Sequence, residues 1–406
     1  MKVLHINSYE KAGGAEQVAT DLLNNPFASS VLIVKGKSSG DPRIIALPHN
    51  TLDRLFTLLN QITFKSRRKN TFKALFSITE NFNATYSKLK KIKAYQEADI
   101  IHLHNIHGNY FDLQALRLIA REKKVVWTLH DMWAVTGGEF YTYGNQNYRK
   151  GIGKTSIKYL FPLSQPLIDR RQHILEIKKK IYAEVKENLT FVPVSEWLNA
   201  AIKNSYVLPK GYLCTRIYNG YDHSIFHNRN QRRWDTPRIL FYNQSGESKG
   251  SKLFHDVLPR LQSRKVFDLF VIGEEIEGVN NQVILPFIKD RDNLSRLYND
   301  IDILVFPSIT ESFGLMPLEA MACGVCVVIS DATALPELLT KDHGFIFKSE
   351  NSRDLYRKSC HALKDLSRTR LFGDRASSHV SKHFNLAKCH EAYFSLYKQV
   401  LTNKYT

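Results

Sequence analysis

Short apolar runs alternate with amphipathic stretches along this chain, and that alternation is the mark of parallel βα units. In the first half it predicts strands at Lys2–Ile6, Val31–Val34, Asp99–Leu103, Val125–Leu129 and Thr190–Val194, with a helix over Gly13–Leu23. The pattern restarts after Asn219-Gly220, a strong turn signal, with strands at Arg238–Tyr242, Phe267–Ile272, Ile303–Phe306 and Val325–Ile329. At 406 residues the chain is too long for one comfortable core. The reading is therefore α/β: two doubly wound, Rossmann-like domains facing a cleft. Their boundaries are set at 1–206 for the first domain, 207–235 for the junction and 236–375 for the second domain. The apolar spacing of Phe384, Ala387, Ala392, Tyr393, Leu396 and Tyr397 predicts a helix pair over 376–406. Periodicity leaves its packing partner open, and a return toward the first domain is the expectation adopted. Two stretches break the alternation: a basic insertion of helical character between Thr51 and Tyr95, and Asp131–Asp169, rich in Gly, Tyr and Asn. Long loops inside compact domains are usually functional or mobile.

Charge narrows the partner. A formal +18 at pH 7 calls for something anionic: nucleic acid, an acidic membrane surface or a phosphorylated substrate. Five cysteines are too few for a disulfide framework in a chain this size and point to a reducing compartment. The start, Met1-Lys-Val-Leu-His-Ile-Asn7, reads as a buried strand rather than a signal peptide. No apolar run reaches the roughly 18 residues of a membrane span. The expected location is cytoplasmic, with peripheral attachment to the inner face of the cytoplasmic membrane as an extension.

The segment richest in chemistry runs from Ile303-Leu-Val-Phe-Pro-Ser-Ile-Thr-Glu311 through Ser-Phe-Gly314-Leu-Met-Pro317-Leu-Glu319 to Ala-Met-Ala-Cys-Gly324. It predicts a buried strand ending at Pro307, a polar loop, and a helix from about Leu315 that carries Pro317 in its first turn and ends at Gly324. In open α/β sheets ligands bind beyond the carboxyl ends of strands, where Glu311 falls. The N–H groups of Gly314, Leu315 and Met316 at the helix start favour phosphate. Glu319 has Leu315, Met316, Ala322 and Cys323 as its helical neighbours, so it sits on an apolar face and needs donors, either ribose or sugar hydroxyls or a basic side chain.

With Glu311 and Glu319 eight apart around Phe-Gly-Leu and followed by Ala-Met-Ala-Cys-Gly, this segment resembles the signature of family-four retaining glycosyltransferases of the GT-B architecture. The resemblance implies that Glu311 approaches the donor sugar, that Glu319 binds ribose hydroxyls, and that the Phe313, Gly314 and Leu315 backbone meets sugar and diphosphate. Other blocks agree over nearly the whole chain. Gly13-Gly14-Ala-Glu16 resembles the family's glycine loop, with Gly14 on the donor. In Trp127-Thr-Leu-His130-Asp131-Met-Trp133, His130 takes the place of a histidine near the donor sugar. Val194-Ser195-Glu-Trp-Leu198 and Ile217-Tyr-Asn-Gly-Tyr-Asp222 resemble the interdomain region. Lys249-Gly250 matches the lysine that pairs with diphosphate, and Phe287-Ile288 the region whose backbone meets the base. One position departs: where members often carry an arginine five residues before that lysine, this chain has Gln244, leaving Arg291 or the first domain to supply a cation.

The resemblance thus implies a retaining, metal-independent transfer of a sugar from a UDP- or GDP-linked donor to a glycan or lipid-diphosphate-linked acceptor, in bacterial surface polysaccharide assembly. No cofactor is expected beyond the nucleotide sugar, and no metal. A same-face mechanism, in which the departing phosphate deprotonates the acceptor, is the family's usual interpretation. The alternatives are a GT-B nucleotide-sugar epimerase, an α/β hydrolase using Ser248 in Gly246-Glu-Ser248-Lys-Gly250, and a basic nucleic-acid-binding module. Against the last two, Asn243-Gln-Ser245 separates Ser248 from its strand, and no nucleic-acid module pattern appears.

Several motifs carry a plainer reading. Cys323 and Cys326 have redox spacing but read as core. Asp300-Ile-Asp302 imitates a metal-binding acidic pair but precedes a strand, so helix termination and turn chemistry are expected. Gly153-Lys-Thr155 lacks the upstream glycine of a phosphate loop. His102, His104 and His107 read as packing or cleft lining. The basic runs are Lys65, Arg67, Arg68, Lys69 and Lys73; Lys88, Lys90, Lys91 and Lys93; and Lys178, Lys179 and Lys180. They read either as a solvated face or as a surface for acidic lipid, which attracts such side chains by about 1 kcal/mol each.

Overall fold

The computed structural model describes residues 1–48, 81, 83–151, 168–244 and 246–402. The first basic run at 65–73 and Gly153-Lys154-Thr155 lie outside the described residues. The chain divides into two units, Met1–Ile217 with His390–Thr406, and Tyr218–Cys389.

The first unit runs β1 (Lys2–Tyr9), α1 (Gly14–Leu23), β2 (Ser29–Gly36), β3 (Ile44–Ala46), α2 (Thr85–Leu89), α3 (Lys93–Glu97), β4 (Ile100–Leu103), α4 (Leu113–Glu122), β5 (Lys124–Leu129), α5 (Arg171–Val185), β6 (Leu189–Pro193), α6 (Glu196–Lys203) and β7 (Leu213–Cys214). Among the described residues its strands pair in parallel in the order β3-β2-β1-β4-β5-β6-β7. Every residue of β4 and β6 is buried, as parallel strands covered on both faces require. The helices obey local rules. α4 buries Leu113, Leu116, Ile119 and Ala120, a single face of a 3.6-residue period. α6 starts at Ser195, whose hydroxyl accepts the Leu198 N–H at 3.2 Å.

The second unit runs β8 (Arg238–Asn243), α7 (Ser251–Gln262), β9 (Asp268–Gly273), β10 (Gln282–Leu285), α8 (Arg291–Asn299), β11 (Ile303–Phe306), α9 (Leu315–Ala322), β12 (Cys326–Ser330), β13 (Gly344–Phe347), α10 (Ser352–Ala362) and α11 (Leu366–His383). Its strands pair in parallel in the order β10-β9-β8-β11-β12-β13. Phe241, Phe254, Leu258, Val271, Val305, Val328 and Leu355 close the core under α7 and α10. Full burial of such side chains contributes about 1.5–3 kcal/mol apiece. The last helix, α12 (Leu386–Thr402), begins in the second unit, and from His390 its residues belong to the first.

Where the sequence set a junction at 207–235, the chain passes between units at Ile217–Tyr218. Of the 376–406 helix pair, α11 packs on α9 and β12 of the second unit, and only residues from 390 join the first. Periodicity did not pick out β3, β7, β10 or β13, which are the outermost strands of the two sheets.

Among the described residues each sheet reverses its winding at one place, between β1 and β4 in the first unit and between β8 and β11 in the second. Such a reversal opens a crevice beyond the strand ends.

Candidate functional site

In the second unit β8 ends at Asn243 and leads to a 3-10 turn, Glu247–Lys249, while β11 ends at Phe306 and leads to Glu311. These are the two strands flanking the reversal. The loops are pressed together by Gly250, whose φ is +67° and whose missing Cβ would lie 2.0 Å from the Pro307 carbonyl oxygen. No other residue fits there without moving one strand end away from the other. Backbone bonds lock the contact: the Ser248 carbonyl accepts from Ile309 N–H at 2.9 Å and from the Ser308 hydroxyl at 3.2 Å.

On that platform Lys249 Nζ lies 2.8 Å from Glu311 Oε1, and the Ser308 hydroxyl oxygen lies 3.1 Å from the same carboxylate oxygen, which is an alternative acceptor for its one proton. Glu311 is held from behind as well. Its N–H donates to Thr333 Oγ1 at 2.7 Å, and the Thr333 hydroxyl donates to its carbonyl at 2.6 Å. The ammonium is about one-third exposed and the carboxylate 14%. The pair is thus ordered but within reach of solvent.

Gly314 turns the chain into α9 with φ +100°, where a Cβ would sit 2.8 Å from Leu335 Cδ2. Glu319, one turn on, is 7% exposed and pairs with Arg291 Nη2 at 3.0 Å. Arg291 opens α8 and stacks its guanidinium 5.0 Å from the Phe226 ring centre. Of the two sets of donors foreseen for Glu319, the basic side chain is therefore the one in contact. Nearby, Tyr242 and Tyr298 share a hydroxyl–hydroxyl bond at 2.8 Å, and burial pushes both phenols up.

The other donor-side residues fall as follows. The Phe313 side chain is buried against Tyr218 and Phe384, with ring centres 5.9 and 5.8 Å away, so it anchors the loop. Leu315 is the first residue of α9. Phe287 is 61% exposed and Ile288 partly buried, in the segment between β10 and α8. Gln244 bonds through its backbone: its carbonyl accepts from the Ser251 hydroxyl at 2.9 Å.

In the first unit, Gly14 is the first residue of α1, and Gly13 caps it with φ −169°, an extended conformation open to any residue. The glycines are therefore not demanded by backbone strain. His130 follows β5 directly. Its Nε2 lies 3.2 Å from His104 Nδ1, and His104 Nε2 lies 3.1 Å from His5 Nδ1. Register puts His5 of β1 opposite His102 of β4, and β4 carries His104 two residues on, beyond its end. Burial lowers His5 to about 3 and His130 to about 4, and drives His102 and His104 well below the usual histidine range. His5, His102 and His104 bring a ring nitrogen each within 4.8 Å of one another. Yet their rings stack, with His102 and His104 centred 4.3 Å apart at 24°, so their lone pairs run side by side instead of converging. Both His102 nitrogens are already bonded to hydroxyls, of Tyr397 and Thr128, at 2.7 Å. This donor set fits a metal poorly.

Other sequence features take definite places. His107 does find a carboxylate, Asp131, at 3.0 Å. All five cysteines are free, and burial raises Cys323 to about 12 and Cys326 further. Asp300 caps α8, but Asp302 does more than turn chemistry: fully buried, it accepts from Arg370 Nε, Trp234 Nε1 and the Arg238 N–H at 2.8, 2.6 and 2.9 Å. Ser248 sits in a 3-10 turn and works through its carbonyl, unlike an elbow nucleophile. The lysine runs are not a uniform solvated face. Lys178 is fully buried, donating to the Trp133 and Thr136 carbonyls with its Nζ 3.6 Å from the Trp133 ring centre, while Lys90 pairs with Glu122 and Lys93 with Glu97. A basic concavity that no sequence run announced, of about 600 Å³, lies instead on the second unit between Arg260, Arg264, Lys265, Arg353 and Arg357. No described helix is long and apolar enough to cross a membrane.

Comparison with known proteins adds a family, a relative and two solved structures. The profile of the family described as glycosyl transferases group 1 matches residues 222–378. The putative colanic acid biosynthesis glycosyl transferase WcaC of Escherichia coli strain K12 is 24% identical over 390 residues, 88% of this chain and 90% of that protein. Among solved structures, sucrose-phosphate synthase from Thermosynechococcus elongatus superposes with a TM-score of 0.68 at 17% identity, over 99% of this chain and 100% of the other. Anabaena HepE in complex with UDP and glucose does so with a TM-score of 0.66 at 16% identity, over 98% and 100%.

Proposed function

We infer that this chain, whose residues 222–378 match the group 1 glycosyl transferases and whose fold is GT-B, moves a sugar from a nucleoside diphosphate donor to a glycan or lipid-diphosphate-linked acceptor. The observation that carries this reading is the Lys249–Glu311 pair at the β8/β11 reversal, with Glu319 on the helix that follows. In the proposed reaction the donor diphosphate takes Lys249 from Glu311, a task suited to a compact ammonium. The carboxylate then accepts hydroxyls of the donor sugar. Glu319 receives the ribose. A carboxylate offers about four acceptor sites, so two ribose hydroxyls and Arg291 are compatible. Arg291 is assigned the place of the cation absent at Gln244.

As the bond from C1 to the diphosphate oxygen breaks, the acceptor oxygen bonds C1 from the same face and its proton passes to the departing phosphate. Configuration is then retained. Cations fixed before the reaction meet the developing charge without a metal. His130 and Gly14 are assigned to the donor from the first unit. HepE, solved with UDP and glucose, supports a UDP-linked donor, with GDP as the second candidate. WcaC, named for colanic acid biosynthesis, supports a role in surface polysaccharide assembly. The five free cysteines support a cytoplasmic setting, at the inner membrane face if the acceptor is a lipid.

Titration calorimetry with UDP-, GDP- and ADP-sugars tests the donor assignment, and transfer to lipid-linked acceptors follows with the sugar that binds. Glu319→Ala should weaken binding of that sugar; unchanged affinity removes Glu319 from the ribose. Turnover abolished by EDTA would overturn the metal-free step, and an inverted anomeric signal in the product would overturn retention.

A further inference from the structure

We propose that the basic concavity of the second unit is a docking surface for anionic lipid headgroups, with Val266 entering the lipid interface beside it. The concavity, of about 600 Å³, is lined by five cations, Arg260, Arg264, Lys265, Arg353 and Arg357, and by no carboxylate. Two helices that pack on each other build it. α7 ends at Gln262, and the turn that follows carries Arg264 and Lys265. Arg353 and Arg357 lie one turn apart on α10, so they share a face.

Two of these cations are engaged within the protein. Arg260 stacks its guanidinium 4.1 Å from the Tyr356 ring centre, and Arg357 Nη2 pairs with Asp354 at 2.6 Å. Arg264, Lys265 and Arg353 have no ion pair among the described residues. Like charges gathered in one hollow without counter-charge leave a positive potential that an anion relieves. The kind of anion is indicated by the next residue in the chain. Val266 is 83% exposed, more than any other large apolar side chain among the described residues. A lone exposed valine is ordinary on a surface; this one directly follows the cations. Basic side chains drawn to headgroups, with an apolar side chain sinking into the boundary below them, are how a protein lies on a membrane. A nucleic acid would use the cations and leave Val266 in water.

The surface is separate from the donor crevice of the same unit. β9 begins at Asp268, opposite Arg238 at the start of β8, so the turn bearing Arg264 to Val266 enters the sheet at its amino edge. Lys249 and Glu311 follow the carboxyl ends of β8 and β11 instead. α7 spans the distance: Lys249 stands just before its first residue, and its twelve residues measure about 18 Å. Docking at one edge of this sheet therefore leaves the crevice at the other edge open. The lysine run at 88–93 is a weaker rival, because Lys90 is paired with Glu122 and Lys93 with Glu97. The proposal goes beyond the transfer reaction and does not depend on it, so its test needs no nucleotide sugar.

Sedimentation of the full chain with vesicles of phosphatidylglycerol mixed with phosphatidylcholine tests it, against vesicles of phosphatidylcholine alone. Binding to the anionic vesicles only, weakened by added salt, is expected. Equal binding to both, or to neither, overturns the proposal. Arg264→Gln, Lys265→Gln and Arg353→Gln combined should cut partitioning about a hundredfold, the product of about fivefold for each cation lost from the surface. If that variant does not fold, Arg353→Gln alone is read against the single fivefold step. The matched change at Lys90, Lys91 and Lys93 should leave partitioning nearly intact, and a loss as large as at the concavity would move the surface to the first unit. Val266→Ser should weaken vesicle binding several-fold and leave retention on phosphocellulose unchanged. Vesicle binding indifferent to Val266→Ser would overturn lipid as the partner. So would a single-stranded RNA oligomer that binds more tightly than the vesicles and is lost in the triple variant.

Discussion

The two winding reversals of this protein are built from opposite electrostatics. Beyond β8 and β11 the second unit holds charges, each against its counter-charge: Lys249 on Glu311, Arg291 on Glu319. Beyond β1 and β4 the first unit holds neutral rings, driven off their charged form by burial. Paired charges at a partly exposed strand end can be traded for the charges of a ligand, whereas buried neutral rings can offer only oriented hydrogen bonds. The same fold logic thus yields one strand-end crevice of paired charges and one of neutral rings.

The sharpest way to break this contrast is to remove a charge on one side only. Lys249→Ala should lower kcat by about 10²–10³-fold, the usual effect of deleting one fixed group that meets developing charge. A loss smaller than tenfold in steady-state assays would place the diphosphate elsewhere. Gly250→Ala tests whether the two strand ends must touch. With φ at +67° and a Cβ 2.0 Å from the Pro307 oxygen, it should cost roughly 3 kcal/mol of stability, read from urea unfolding. A double-mutant cycle of Arg291→Ala and Glu319→Ala sharpens the charged side. Coupling of about 1–3 kcal/mol in donor affinity is expected, and additive losses would mean that the two act independently.

The smallest effect belongs to the neutral side. His5 and His130 stay uncharged in the folded protein down to about 3 and about 4. The unfolded chain takes up their protons from about pH 6.5 downward. Stability from these rings is therefore complete above that value and falls as the pH drops, until the folded rings themselves titrate. The slope is at most about 1.4 kcal/mol per pH unit for each ring. His5→Phe should flatten the decline of melting temperature between about pH 6 and about pH 4; an unchanged profile would mean that His5 is not buried as a neutral ring.

What the sequence exposed and what it hid follow from the range of the interactions. Central strands such as β5, β8 and β11 are apolar runs, and their alternation with helices shows one residue at a time. The edge strands are another matter: β7 has two residues, β3 has three, and Val283 and Ile284 of β10 are both exposed, so no local pattern marks them. Glu311, Lys249 and Glu319 stood out through spacing and resemblance, but the pairing of Lys249 with Glu311 spans 62 positions and that of Arg291 with Glu319 spans 28. Nothing in the sequence announced His5, which reads as one more residue of an apolar strand until register sets it opposite His102. Lys178 looked like part of a solvated run because its acceptors, two backbone carbonyls, leave no trace in residue types.

The division of α12 has a consequence for how the protein is made. Tyr393 and Tyr397, which cover Thr128 and His102 of the first unit, lie on that helix, beyond the whole of the second unit in chain order. Synthesis delivers β1 to β7 first, yet their histidine face stays uncapped until residues 390–402 emerge. The half that is translated first is therefore the half that is finished last.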